Sequence, residues 1–317
     1  MESIPPSSLA ELIVELGNSD RPLLNSKLTE LSNLNSEELE LFKRSWSAIT
    51  PIRRRQIVYR LVELAEDNLT LNFDAILKYC LKDQDEEVQS RAIEGLWENE
   101  EPSLISPLID LLQPENTETV QVAASIALGK FAMLVEHKKI RDDYLPRIQQ
   151  ALLTAIQDQD RSIEVRSRAL ESVAPLSLPQ VRMTIMNAYK SHNSRLKVSS
   201  IYAMGKNCDP SWLTILLEEL VSNDTEIRFE AAEACGEIEE EEAVPHLAAL
   251  IEDPDIDVQM AAIQALGKIG GSRAKECLEL CLDNESEVVH QTAEQVLYDL
   301  EAKETYYISD SELFDIA

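Results

Sequence analysis

The sequence predicts an all-α fold, an α–α superhelix (a solenoid) of about eight stacked helical pairs with capping helices at the N-terminus. Three observations predict it. The phrase V-x-x-x-A-x-x-A-L-G returns along the chain, most plainly as "VQMAAIQALG" from Val258 to Gly267. Its last four steps are 31, 31, 31 and 30 residues, enough for two helices and two turns, and such periods mark stacked-repeat architectures. Composition agrees: aromatics are 5%, glycines number eight, and Ala, Leu, Ile and Glu dominate, as in helical proteins.

The elements follow in chain order. Residues 1–35 hold two short helical patterns, "SSLAELIVEL" and "LNSKLTELSNL", expected to form the cap that an open-ended stack of repeats needs. Residues 36–302 carry the repeats. Taking the first residue of the phrase as an anchor, the anchors fall at Ile52, Val88, Val120, Val165, Leu196, Ile227, Val258 and Val288. Each repeat has a first half at helical spacing, such as "AVPHLAALI" (Ala243–Ile251). A turn with Asp, Asn or Pro follows, such as "EDPDID" (Glu252–Asp257), and these residues cap helices and start turns. The phrase itself is the second helix. Its positions 0, 4, 7 and 8 form one buried stripe, where Ala at 4 and 7 lets neighbouring helices approach closely. Gly129, Gly205, Gly236 and Gly267 close four of these stripes, as left-handed caps or as close helix contacts.

Two irregularities interrupt the array. The step from Val120 to Val165 is about 14 residues too long, and the extra segment, Phe131–Ile148, reads as a lengthened helix or a projecting loop. The next unit carries Pro175 and Pro179 in its inter-helix turn, where a local bend is expected. Residues 303–317 leave the repeat pattern as an acidic tail containing Tyr306, Tyr307, Leu313 and Phe314. It reads as disordered, as a C-terminal cap, or as a peptide for another protein.

The stretch "EEAVPHLAALIEDPDIDVQMAAIQALGKIG" (Glu241–Gly270) resembles a HEAT repeat, and more narrowly the short HEAT-like repeat named from phycobilin lyases. The resemblance runs from about Asp85 to Leu300 and implies an architecture, not one activity. It also implies that second helices line a concave side. On the helical wheel, positions 2 and 6 after each anchor lie opposite the buried stripe. There the chain places Val122, Ile126, Val198, Tyr202, Phe229, Glu233 and Met260, several of them apolar where water alone would favour polar residues. This row is the candidate partner-binding face.

Bulk properties narrow the function. The net charge of −29 opposes attraction to nucleic-acid phosphates and anionic membranes and favours protein partners with basic surfaces. Charge is segregated along the chain: 218–257 holds fifteen acids and one base, Arg228, whereas 161–206 holds eight bases and two acids, and 43–60 six bases and no acid. No stretch approaches about 20 uninterrupted apolar residues, and the N-terminus lacks the basic start of a secretory signal. Five cysteines at irregular spacing make no disulfide framework, so a cytoplasmic home is expected. His137, His192, His246 and His290 show no metal-ligand spacing, and none precedes Glu, the pair with which hydroxylases built from HEAT-like repeats hold iron. No nucleotide loop or nucleophile elbow is present. The sequence therefore predicts a non-catalytic protein–protein scaffold without cofactor. A phycobilin-lyase-like or lyase-associated role and a nucleic-acid-binding role are the alternatives.

Overall fold

The computed structural model describes the backbone of residues 6–314 and the side chains of residues 9–302. The described residues are helical, with no strand among them. They form two compact units, Met1–Ser172 and Val173–Ala317.

The first unit opens with α1 (Pro6–Gly17), whose Leu9, Leu12, Ile13 and Leu16 form one buried stripe. The short α2 (Asn25–Leu28) follows. Next, α3 (Ser36–Trp46) begins with a reciprocal cap: Asn35 accepts from the Glu38 N–H, and the Glu38 carboxylate accepts from the Asn35 N–H. In α4 (Pro51–Asp67) the buried residues are Ile57, Val58, Leu61 and Val62. Ile52, read from sequence as this repeat's anchor, is 70% exposed. The correction has a physical cause. The stripe at 58, 61 and 62 puts Arg54 in the anchor slot, where it pairs at 3.3 Å with the buried Asp83, which also accepts from Trp46 Nε1 at 2.6 Å.

Three helical pairs complete this unit: α5 (Asp74–Cys80) with α6 (Glu86–Gly95), α7 (Ile105–Leu111) with α8 (Glu118–Glu136), and α9 (Leu145–Gln157) with α10 (Ile163–Val173). The 14-residue excess is mainly a lengthening of α8, which buries Phe131, Ala132, Leu134 and Val135 before Lys138 turns left-handed. By length and composition α8 is apolar enough to cross a bilayer, contrary to the sequence expectation. Its apolar residues are mostly buried in the unit's core, as in a central helix of a helical protein.

The second unit repeats more regularly: α11 (Pro179–Tyr189) with α12 (Ser194–Asn207), α13 (Leu213–Glu219) with α14 (Thr225–Ile238), α15 (Val244–Ala249) with α16 (Ile256–Ile269), and α17 (Gly271–Cys281) with α18 (Glu287–Phe314). The turn residues act as expected. Asn193, Asp224 and Asp255 each accept an N–H of the second helix that follows. The last anchor needs correction: Val288 is 45% exposed, while Val289, Ala293 and Leu297 are buried. The final step is therefore 31 residues, as in the three before it. The segment expected as a tail continues the backbone of α18 to Phe314, and its side chains lie outside the described residues.

Two packing rules hold the pairs together. The residue after the anchor ties its helix to the end of the preceding one: Gln89 to Leu81 O, Arg166 to Ile156 O, Gln259 to Asp253 O, and His290 Nδ1 with Leu282 O. These bonds satisfy carbonyls that a helix C-terminus leaves open. The glycines at position 9 are close contacts, not left-handed caps. A Cβ on Gly205 would lie 2.7 Å from Ala234 Cα, and one on Gly236 would lie 2.8 Å from Ala265 Cα. Each glycine thus meets position 7 of the next repeat. The left-handed residues are the C-caps, Cys208 at φ 51° and Glu239 at φ 60°.

Candidate protein-binding faces

Close packing of second helices decides which of their side chains reach solvent. Position 2 lies on the flank, turned toward a neighbouring helix. Val198 is therefore buried at 2% exposure, which corrects its placement on an open face. Ser90 and Ser167, also at position 2, are buried too, and Val122, Phe229 and Met260 are half-buried. Position 6 is more open: Ile126 and Tyr202 are exposed, and Glu233 is half-buried. Val122 and Ile126 belong to the first unit, and the other candidates to the second.

In the second unit a charge ladder borders these residues. Lys206 donates to Glu237 at 2.8 Å, and Lys268 reaches Glu237 at 3.2 Å and Glu233 at 3.4 Å. Burial works against the Lys206 ammonium, but Glu237 overrides it and holds its pKa above the ordinary lysine value. For Glu237 burial would raise the pKa, and the two lysines bring it below the ordinary carboxylate range. The Lys206 ammonium also lies 5.6 Å from the Tyr202 ring centroid, a cation–π distance. Residues 206, 237 and 268 are spaced by the repeat itself, so position 10 of the phrase carried this ladder in the sequence.

In the first unit, Arg55, Tyr59, Arg60, Arg91 and Glu94 border a groove of about 800 Å³. Its arginines are engaged. Arg55 binds Asp85 at 2.8 Å and Glu87, Arg60 binds Glu63 at 2.6 Å, and Arg91 binds Glu94 at 2.8 Å while lying 4.9 Å from the Tyr59 ring centroid. Elsewhere Lys197 meets Glu219 at 2.8 Å, and Arg228 meets Asp253 at 2.7 Å. Charge segregated along the chain is thus largely paired in space, because neighbouring repeats bring a basic stretch against an acidic one.

The remaining polar chemistry is dispersed. His137, His192 and His246 are exposed on separate helical pairs, and His290 is half-buried. Among the described residues no group of three or more His, Cys, Asp or Glu is placed to hold a metal. Cys235 and Cys281 are buried, as their stripe positions imply, while Cys277 is half-buried. Burial pushes the Cys235 thiol up to about 12 and, with the nearby Cys277 and Glu252, the Cys281 thiol up to about 11, leaving both protonated at neutral pH.

A family model described as HEAT repeats matches residues 73–146 and 213–297. Deoxyhypusine hydroxylase of Candida albicans is 26% identical over 113 residues, 35% of this chain. The match spans 36% of that relative's length. Among solved structures, human deoxyhypusine hydroxylase in complex with glycerol aligns at a TM-score of 0.34 and 17% identity, over 83% of this chain and 96% of that one. The complex of CpcE and CpcF of phycocyanin lyase from Nostoc sp. PCC7120 aligns at 0.44 and 16%, over 95% and 96%. The expectation that this chain is not an enzyme is corrected by the curated relative, which is one. Missing sequence motifs bear only on residues near one another in the chain, whereas stacked repeats bring together side chains from distant repeats.

Proposed function

The chain belongs to the HEAT-repeat family, and from that premise we propose that it is a protein-binding scaffold whose second helices line a concave, partner-binding face. One observation carries the reading. In the second unit the exposed Tyr202 and the half-buried Phe229 and Met260 stand beside the Lys206–Glu237–Lys268 ladder. Aromatic and thioether groups bordered by charge have the composition of interface centres and rims. The partner carries a basic surface, since the chain's net charge of −29 steers such surfaces toward it. A reducing, cytoplasmic setting belongs to the same proposal.

The test replaces Tyr202 and Phe229 together by Ser. Wild type and variant are used for affinity capture from the native cell, with mass spectrometry of the bound proteins and circular dichroism of both baits. The expected result is unchanged helicity with loss of one or more proteins held by the wild type. Capture of the same set in the same amounts by both baits counts against this face.

A further inference from the structure

A second surface lies in the first unit, between the end of α4, the segment 68–73 and the end of α6. It encloses about 550 Å³. Val62, Phe73 and Leu77 form its buried floor, and Leu69 and Trp97 stand at its mouth. Leu69 is 93% exposed and Trp97 46%, so two large apolar side chains face water around one cavity.

Trp97 occupies position 9 of its repeat, the slot where four other repeats carry Gly. There the glycines let the following second helix close in, whereas the indole is held outside the stack. Lys130 of α8 lies 5.5 Å from its ring centroid and donates to the Trp97 and Asn99 carbonyls. The charged residues lining the cavity are all acidic: Glu66, Asp74, Glu94 and Glu98. Asp74 accepts from Asn99 at 2.6 Å and Glu94 pairs with Arg91, while Glu66 and Glu98 are exposed and enter no ion pair among the described residues.

We propose that this pocket docks a segment of a partner protein presenting one leucine- or phenylalanine-sized side chain flanked by lysine or arginine. The apolar mouth and floor take the anchor, and Glu66 and Glu98 take the flanking cations. The cavity volume is within the range of sites that enclose small ligands, and exposed apolar groups ringed by one charge select partners of the opposite sign. The residues involved are separate from Tyr202 and Phe229, so the two surfaces succeed or fail independently.

The experiment pans a phage-displayed library of random twelve-residue peptides on the full chain, on Leu69→Ser, and on the double variant Glu66→Gln, Glu98→Gln. Trp97 supplies a direct readout. Trp46 and Trp212 are buried at 2% and 1%, so acrylamide quenching at neutral pH reports mainly on Trp97. The wild type is expected to enrich peptides with one large apolar residue between basic ones. An enriched peptide made synthetically protects Trp97 from acrylamide, and both variants weaken its binding at least tenfold while keeping wild-type circular dichroism. Absence of enrichment, an acidic consensus, equal binding to wild type and variants, or peptide-free protection that rises with protein concentration (a second copy in the pocket) would each overturn the assignment.

Discussion

Replacing Gly236 by Ala sets two effects of opposite sign against each other. In an open helix interior, Gly→Ala stabilises by about 1 kcal/mol, because it removes backbone entropy from the unfolded chain. Gly236, however, is buried in α14 against α16. The added methyl carbon would lie 2.8 Å from Ala265 Cα and 2.9 Å from its Cβ. Ordinary contact begins at 3.4 Å, so α16 must retreat by about 0.6 Å, and the obstacle is backbone that no rotamer change can move. Overpacking of a close-packed interior costs about 1–3 kcal/mol, which outweighs the propensity gain in most of that range. The expected outcome is a net loss of up to about 2 kcal/mol, read as a lowered urea midpoint by far-ultraviolet circular dichroism with unchanged native helicity. A midpoint equal to or above that of the wild type would refute the claim that second helices meet backbone to backbone.

Two further outcomes test the register and the electrostatics. Val289→Ser should cost about 2–4 kcal/mol, because a polar group enters a fully buried slot, while Val288→Ser, at an exposed position, should change the urea midpoint little; the reverse order would restore the anchor read from sequence. Asp253→Asn keeps an acceptor for the Asp255 N–H but uncouples the nearly buried Arg228, costing about 2–3 kcal/mol at pH 7, somewhat less than a fully buried pair. The Arg228 hydrogen bond holds the Asp253 pKa below its ordinary 3.8, so this stability is present above that value and disappears as pH falls through the lower folded value. Urea unfolding from pH 7 to 2 should show the two proteins converging below about pH 3.8, and a constant gap across that range would argue against the assignment.

The fold was largely legible because burial in a stacked helix has a period. Val88, Val120, Val165 and Val258 all fall in the core where the phrase puts them. The pattern misled where two frames were both plausible. Val288 and Val289 are adjacent and identical, and only the backward bond from residue 290 separates them. At the first repeat an arginine fills the anchor slot, so an apolar phrase searched for the wrong residue type. The candidate face was half legible. Tyr202 and Ile126 are exposed as expected, but Val198 is not, because the Ala and Gly contacts that pull second helices together also cover their flanks. The acidic pocket escaped notice because its mouth comes from the segment 68–73, which follows no period.

Three equal steps with the same Gly-to-position-7 contact give the second unit an unusual editability. Residues 227–257 form one interchangeable cassette: remove them, and Val258 follows Glu226 at the frame that Ile227 held. Gly205 would then find Ala265 in place of Ala234, the same methyl in the same slot. The length of this part of the molecule is therefore adjustable in whole repeats while its inter-helix joints stay as they are.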